Sequence, residues 1–156
     1  MMKKSLDKIL GSTLVFLMAF IVLAVLWQVF SRYVLQNPSS VTEEIARYLM
    51  IWIGILGAAY ASGQQEHLAI NILPPKLSER NRICLRIGIN ILIMLFSLFA
   101  LIIGGGNLVW VNYLLGQTSA ALHLPLSVVY AVLPISGILI IFYKLNEVFN
   151  PKKYLL

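Results

Sequence analysis

Four ionisable residues, Arg32, Glu43, Glu44 and Arg47, form the one cluster whose types and spacing offer polar chemistry in this 156-residue chain. Glu43 and Arg47 stand at i,i+4 and Glu44 and Arg47 at i,i+3, both neighbouring positions on a helix surface. Arg32 ends the preceding apolar run and reaches the same depth, within range of either acid. Isolated charge is costly near lipid, so acids beside arginines imply mutual support. Two readings stay open: a clamp joining the first two helices, or a polar contact to a partner protein or headgroup. Catalysis is not among the options. No His/Cys/Asp/Glu group has metal-ligand spacing, no glycine-rich phosphate loop follows a strand, and no Ser/His/Asp set is present. His67 and His123 fall on opposite expected sides of a membrane, and Cys84 is a lone thiol, so no intrachain disulfide can form and the pattern argues against a redox cluster. Neither a metal nor a cofactor is expected in this chain, and the chain is not expected to be an enzyme.

The elements that must position these residues are apolar. The chain is 60% hydrophobic and 12% charged, against about 25% charged in soluble domains. Four runs, at 9–30, 45–62, 83–115 and 122–143, are long enough to cross a bilayer. Only helices or closed barrels satisfy the backbone in lipid, and these runs are far too long for barrel strands. The expected fold is all-α, an integral membrane protein with four transmembrane helices in one domain over 1–156. Ten of the twelve Lys and Arg residues fall before the first run, between the second and third, or after the fourth. Short loops rich in Lys and Arg stay in the cytoplasm, so both termini are expected inside. The net charge of +6 therefore concerns topology and lipid headgroups and not nucleic acid, since no basic patch is interleaved with stacking aromatics.

Within this frame several local features stand out. Trp27, Tyr33, Tyr48 and Trp52 are expected as interfacial anchors, because amphipathic rings favour the headgroup region. The turn at 36–40 leads into a helix start with two N-cap options, Ser40 paired with Glu43 or Ser39 paired with Thr42. In the second span Gly54, Ala58 and Ser62 recur every four residues, with Gly57 and Ala61 beside them. Such a small-residue stripe lets another helix approach closely, either within this bundle or from a partner. The stretch 67–73 is too short to span and suits a short helix lying along the interface. The third run would measure roughly 50 Å as one helix, against a core of about 30 Å, and a bend or break is expected at Gly104-Gly105-Gly106. Pro134 should kink the fourth. Ionisable residues are absent from the centres of the first, third and fourth spans; Asn90 is the main polar intruder, expected to hydrogen-bond another helix. That absence argues against an autonomous proton-coupled transporter. A membrane assembly factor places nearly the same demands on sequence as a scaffold.

The run Trp27-Gln-Val-Phe-Ser-Arg32-Tyr33, followed by Ser39-Ser-Val-Thr-Glu43-Glu44-Ile-Ala-Arg47-Tyr48, Trp52 and Gly57-Ala-Ala, resembles the small membrane subunit of tripartite ATP-independent periplasmic (TRAP) transporters. The resemblance continues through His67 and extends over the whole chain in length and layout. At Asn71 the chain departs from the Asp found in many relatives. The resemblance implies a heteromeric, sodium-coupled importer of organic acids, such as a sialic acid or C4-dicarboxylates, in the bacterial inner membrane. A large membrane subunit would carry the sodium and substrate sites and move as an elevator, and a periplasmic binding protein would deliver the substrate. The small subunit would brace the large one and help form the docking surface.

Overall fold

The computed structural model describes residues 2–37, 39–64 and 79–149, with the side chains of 2, 79, 80 and 82 outside that description. The stretch 67–73, with His67 and Asn71, lies outside the described residues. Helices α1 (Met2–Tyr33) and α2 (Ser40–Gln64) come first, then α3 (Glu79–Phe96), a π-helical stretch (Ser97–Gly104), α4 (Gly105–Leu114), α5 (Leu126–Tyr130) and α6 (Val132–Phe149). Four helical units, Lys3–Tyr33, Ser40–Gln64, Ile83–Leu114 and Leu126–Phe149, are long and apolar enough to cross a membrane. The fold is thus all-α with four spans. One end of the bundle holds the start of α1 and the close of α6, the termini end. The other holds the 34–39 and 115–125 connections, the loop end.

Packing runs from α1 to α2, from α2 to α6, and from α6 to α3 and its π-helical continuation. The core is small: Leu10, Leu56, Val132 and Tyr143, flanked by Leu14, Trp52 and Tyr60 among others. Large apolar side chains such as Phe16, Leu23, Leu92, Phe96 and Phe99 face outward. In water such a surface would aggregate; in lipid it is the solvated face.

Helix α2 starts where Ser39 caps it. The Ser39 hydroxyl accepts the Thr42 N–H at 3.4 Å, and the Thr42 hydroxyl donates to the Ser39 carbonyl at 3.0 Å. Of the two N-cap options, the chain uses Ser39, which leaves both following glutamates free for other partners.

The third span does not break at its glycines. Gly104 and Gly105 keep ordinary right-handed helical angles, φ −64° and −63°. The irregularity is instead eight residues of wide π-helical winding, Ser97–Gly104, which end on the first of these glycines. Of the three, Gly105 serves close approach instead: a Cβ there would sit 2.7 Å from Leu133 Cβ, whereas one on Gly106 would meet nothing within 4 Å; across the seam, a Cβ on Gly137 would sit 2.8 Å from the Ile102 side chain. The fourth span does break, at Ala131, between α5 and α6. Pro134 has no N–H for the carbonyl of Tyr130 and its ring crowds that turn. Trp52 of α2 reaches the break, donating its indole N–H to the Val129 carbonyl at 3.0 Å.

Candidate functional site

At the loop end the four charged residues separate. Arg47 and Glu43 pair at 3.0 Å along α2, with 65% and 54% of their side chains exposed. Glu44 turns the other way, to the connection between α4 and α5. Its carboxylate accepts three backbone N–H groups, from Ala120 at 2.9 Å, Ala121 at 3.1 Å and Leu122 at 2.9 Å. Successive amides converging on an anion make a nest, and here the anion belongs to the chain itself. Arg32 is exposed at the end of α1, and no acid among the described residues pairs with it. Arg32, placed by the sequence within range of either acid, meets neither among the described residues, and Glu44 instead clamps α2 to the second loop.

That loop is internally braced as well. The Ser119 N–H donates to the Leu124 carbonyl at 2.9 Å, and the Leu126 N–H to the Gln117 carbonyl at 2.9 Å. The Ser119 hydroxyl accepts the Leu124 N–H at 3.2 Å. Gly116 and His123 take positive φ, 59° and 53°, to close the turn. Gly116 has no Cβ to clash there, whereas at His123 the strain is held by the surrounding bonds.

The aromatic residues also divide. Trp27 and Tyr33 are exposed on α1, as an anchoring role requires. Tyr48 lines an apolar cavity of about 230 Å³ with Leu49, Leu122 and Val128. Trp52, expected with them at the interface, points inward to the Val129 carbonyl, because the broken span offers an acceptor at that level.

The small-residue stripe faces two ways. Gly54 and Ala58 are exposed, and no atom lies within 4 Å of a Cβ built on Gly54 or Gly57. Ala61 is half-buried and Ser62 is buried. The outer part of the stripe is thus left open by this bundle.

The densest polar cluster is at the termini end, and the sequence pattern did not reveal it. Glu147 of α6 receives Arg86 Nε of α3 at 2.7 Å on one oxygen and Lys144 Nζ at 3.1 Å on the other. Lys144 is 1% exposed and Glu147 6%. Beside them the Tyr143 hydroxyl donates to Asp7 of α1 at 2.8 Å. Gly63 of α2 lies flat against the Tyr143 ring, where an added Cβ would come within 2.8 Å. All four spans thus meet around residues 143–147. A signal existed: Lys144 and Glu147 stand at i,i+3 in an otherwise apolar helix. Lys144 counts in the charge bias as a basic residue following the fourth run, and a buried lysine leaves the same imprint on hydropathy as one in headgroups.

Among the described residues, no three His, Cys, Asp or Glu side chains are placed to hold a metal. Among these same described residues the charged groups occupy the two ends, and the middle offers amide and hydroxyl groups, chiefly Asn90, Ser97 and Ser136, all buried.

Comparison with known proteins gives this arrangement a context. Residues 21–152 match the family model described as tripartite ATP-independent periplasmic transporters, DctQ component. The chain is 29% identical over 161 residues to the sialic acid TRAP transporter small permease protein SiaQ of Vibrio cholerae, covering 100% of this chain and 88% of that one. It is 30% identical over 137 residues to a Haemophilus influenzae protein named for the same small-permease role, covering 86% and 82%. It is also 31% identical over 100 residues to the sialic acid TRAP transporter permease protein SiaT of Haemophilus influenzae, covering 62% of this chain and 16% of that protein.

Proposed function

The chain belongs to the DctQ-component family of tripartite ATP-independent periplasmic transporters, and from that premise we propose that it is the scaffold of a sodium-coupled importer of organic acids. As a permease component it is not an enzyme. The observation that carries the scaffold reading is the distribution of charge. The described ionisable side chains lie at the two ends, engaged with one another, with backbone, or with the exposed surface. A chain that moved an ion or an acid by itself would need polar groups through the membrane middle that a solute can reach. Asn90, Ser97 and Ser136 are instead sealed between helices.

The partner in this reading is a large multi-spanning permease, which would hold the sodium and substrate sites. Two features support it. The open outer part of the α2 stripe, Gly54 and Ala58, has the small side chains that membrane helices use for close packing. The match to a short portion of the much longer SiaT permease protein is what is expected if the two units work side by side in one polypeptide. The relatives named for sialic acid favour a carboxylated sugar acid as cargo, with C4-dicarboxylates the neighbouring class. A periplasmic binding protein would dock at the loop end, where Glu43, Arg47 and Arg32 are exposed and the Glu44 clamp holds the 117–125 loop in shape. This orientation follows the Lys/Arg bias, with both termini cytoplasmic in a bacterial inner membrane.

Reconstitution of the large permease and binding protein with and without this chain tests the proposal. Sodium-driven uptake of a labelled organic acid should require the chain and should fall with Gly54→Leu or Ala58→Leu, together with co-purification. Full uptake without the chain contradicts a scaffolding role; uptake by the chain alone makes it an autonomous transporter.

A further inference from the structure

The α3–α6 seam carries a mismatch that the described residues do not resolve. Lys144 and Asn90 are each 1% exposed, among the largest fully buried side chains of the described residues. The Lys144 ammonium has three N–H donors, and its one hydrogen bond runs to Glu147 Oε2 at 3.1 Å. Asn90 Oδ1 is buried and, among the described residues, accepts no hydrogen bond. The two helices run antiparallel, pinned at one point by Arg86 to Glu147 at 2.7 Å and at another by Gly137 against the Ser97 carbonyl, 3.2 Å from a Cβ built there. Between those points, Asn90 is one turn from Arg86 on α3 and Lys144 is one turn from Glu147 on α6. Lys144 and Asn90 therefore start from matching levels of one seam, the first with spare donors and the second with a spare acceptor.

We propose that an ordered water molecule binds between α3 and α6, accepting from the Lys144 ammonium and donating to the Asn90 side-chain carbonyl. The occupant must both accept and donate. A metal cation cannot accept from an ammonium and is repelled by Arg86 and Lys144, which outnumber Glu147. A halide cannot donate to Asn90. Water does both, and buried waters settle at sites with two to four polar partners. Leaving either group unmatched in the apolar interior is costly, so the bridge extends the Arg86–Glu147–Lys144 cluster one turn deeper into the membrane.

The test uses the full chain in lipid nanodiscs. Water-edited solid-state NMR of asparagine-labelled protein should transfer magnetisation from water to the Asn90 side chain at short mixing times. No transfer to this side chain, already shielded from bulk solvent, overturns the proposal. Asn90→Leu and Lys144→Met should each lower Tm by about 2–4 °C or more, and the double variant should lose clearly less than the sum, because both remove the same bridge. Additive losses overturn it. Should Lys144→Met fail to fold, the NMR measurement on the unaltered chain decides.

Discussion

At the loop end, Glu43 and Arg47 meet at 3.0 Å with more than half of each side chain exposed. At the termini end, Glu147 holds Arg86 and Lys144 at 2.7 and 3.1 Å with the lysine fully buried. The bond lengths are similar and the energetics are not. An exposed i,i+4 pair is worth a few tenths of a kcal/mol, because water and salt screen it and two long side chains must be ordered. In the buried cluster the desolvation cost has already been met, so removing one partner strands the others. Glu44 stands between these cases, a charge at the surface whose three amide partners make it a local organiser of one loop.

Substitutions break this comparison in a definite order. Glu147→Leu leaves Arg86 and Lys144 without their shared carboxylate and is expected to cost about 3–5 kcal/mol, read as the largest fall in Tm of the purified chain. Glu44→Ala frees the amides of Ala120, Ala121 and Leu122; hydrogen exchange should accelerate across 117–125 while the spans keep their protection. Unchanged exchange there would mean the loop is braced by its own bonds alone. Trp52→Phe removes the donor to the Val129 carbonyl and should cost about 1 kcal/mol, with altered exchange confined to the α5–α6 break. Glu43→Gln should change stability by less than about 0.5 kcal/mol; a loss comparable with that of Glu147→Leu would show that the two ends do not differ as described.

How much was readable in the sequence varied with the physics behind each feature. The four spans follow from hydropathy and length alone, since lipid demands both. The helix start at Ser39–Thr42 and the break before Pro134 follow from local backbone chemistry, where the residue type dictates the hydrogen bond. The fate of Gly104-Gly105-Gly106 did not follow, because glycine weakness and glycine close-packing leave the same residues behind. Only the position of Leu133 and Pro134 decides between them. The π-helical winding of Ser97–Gly104 has no residue signature either. At the site level, the Glu43–Arg47 spacing was legible as an i,i+4 pair. Glu44 was not, since its partners are backbone amides more than seventy residues away. The Arg86–Glu147–Lys144 cluster was hidden by the charge bias itself: basic residues at a span's end look alike whether they meet headgroups or a buried carboxylate.

Co-purification in mild detergent tests the scaffold reading most directly. The tagged chain, expressed with its large permease at native levels, should bring that permease down in fixed stoichiometry, and Gly54→Leu should release it while leaving the chain folded with an unchanged Tm. Recovery of the folded chain alone, or an equally complete complex from Gly54→Leu and Ala58→Leu, would contradict a scaffold that binds through the open face of α2.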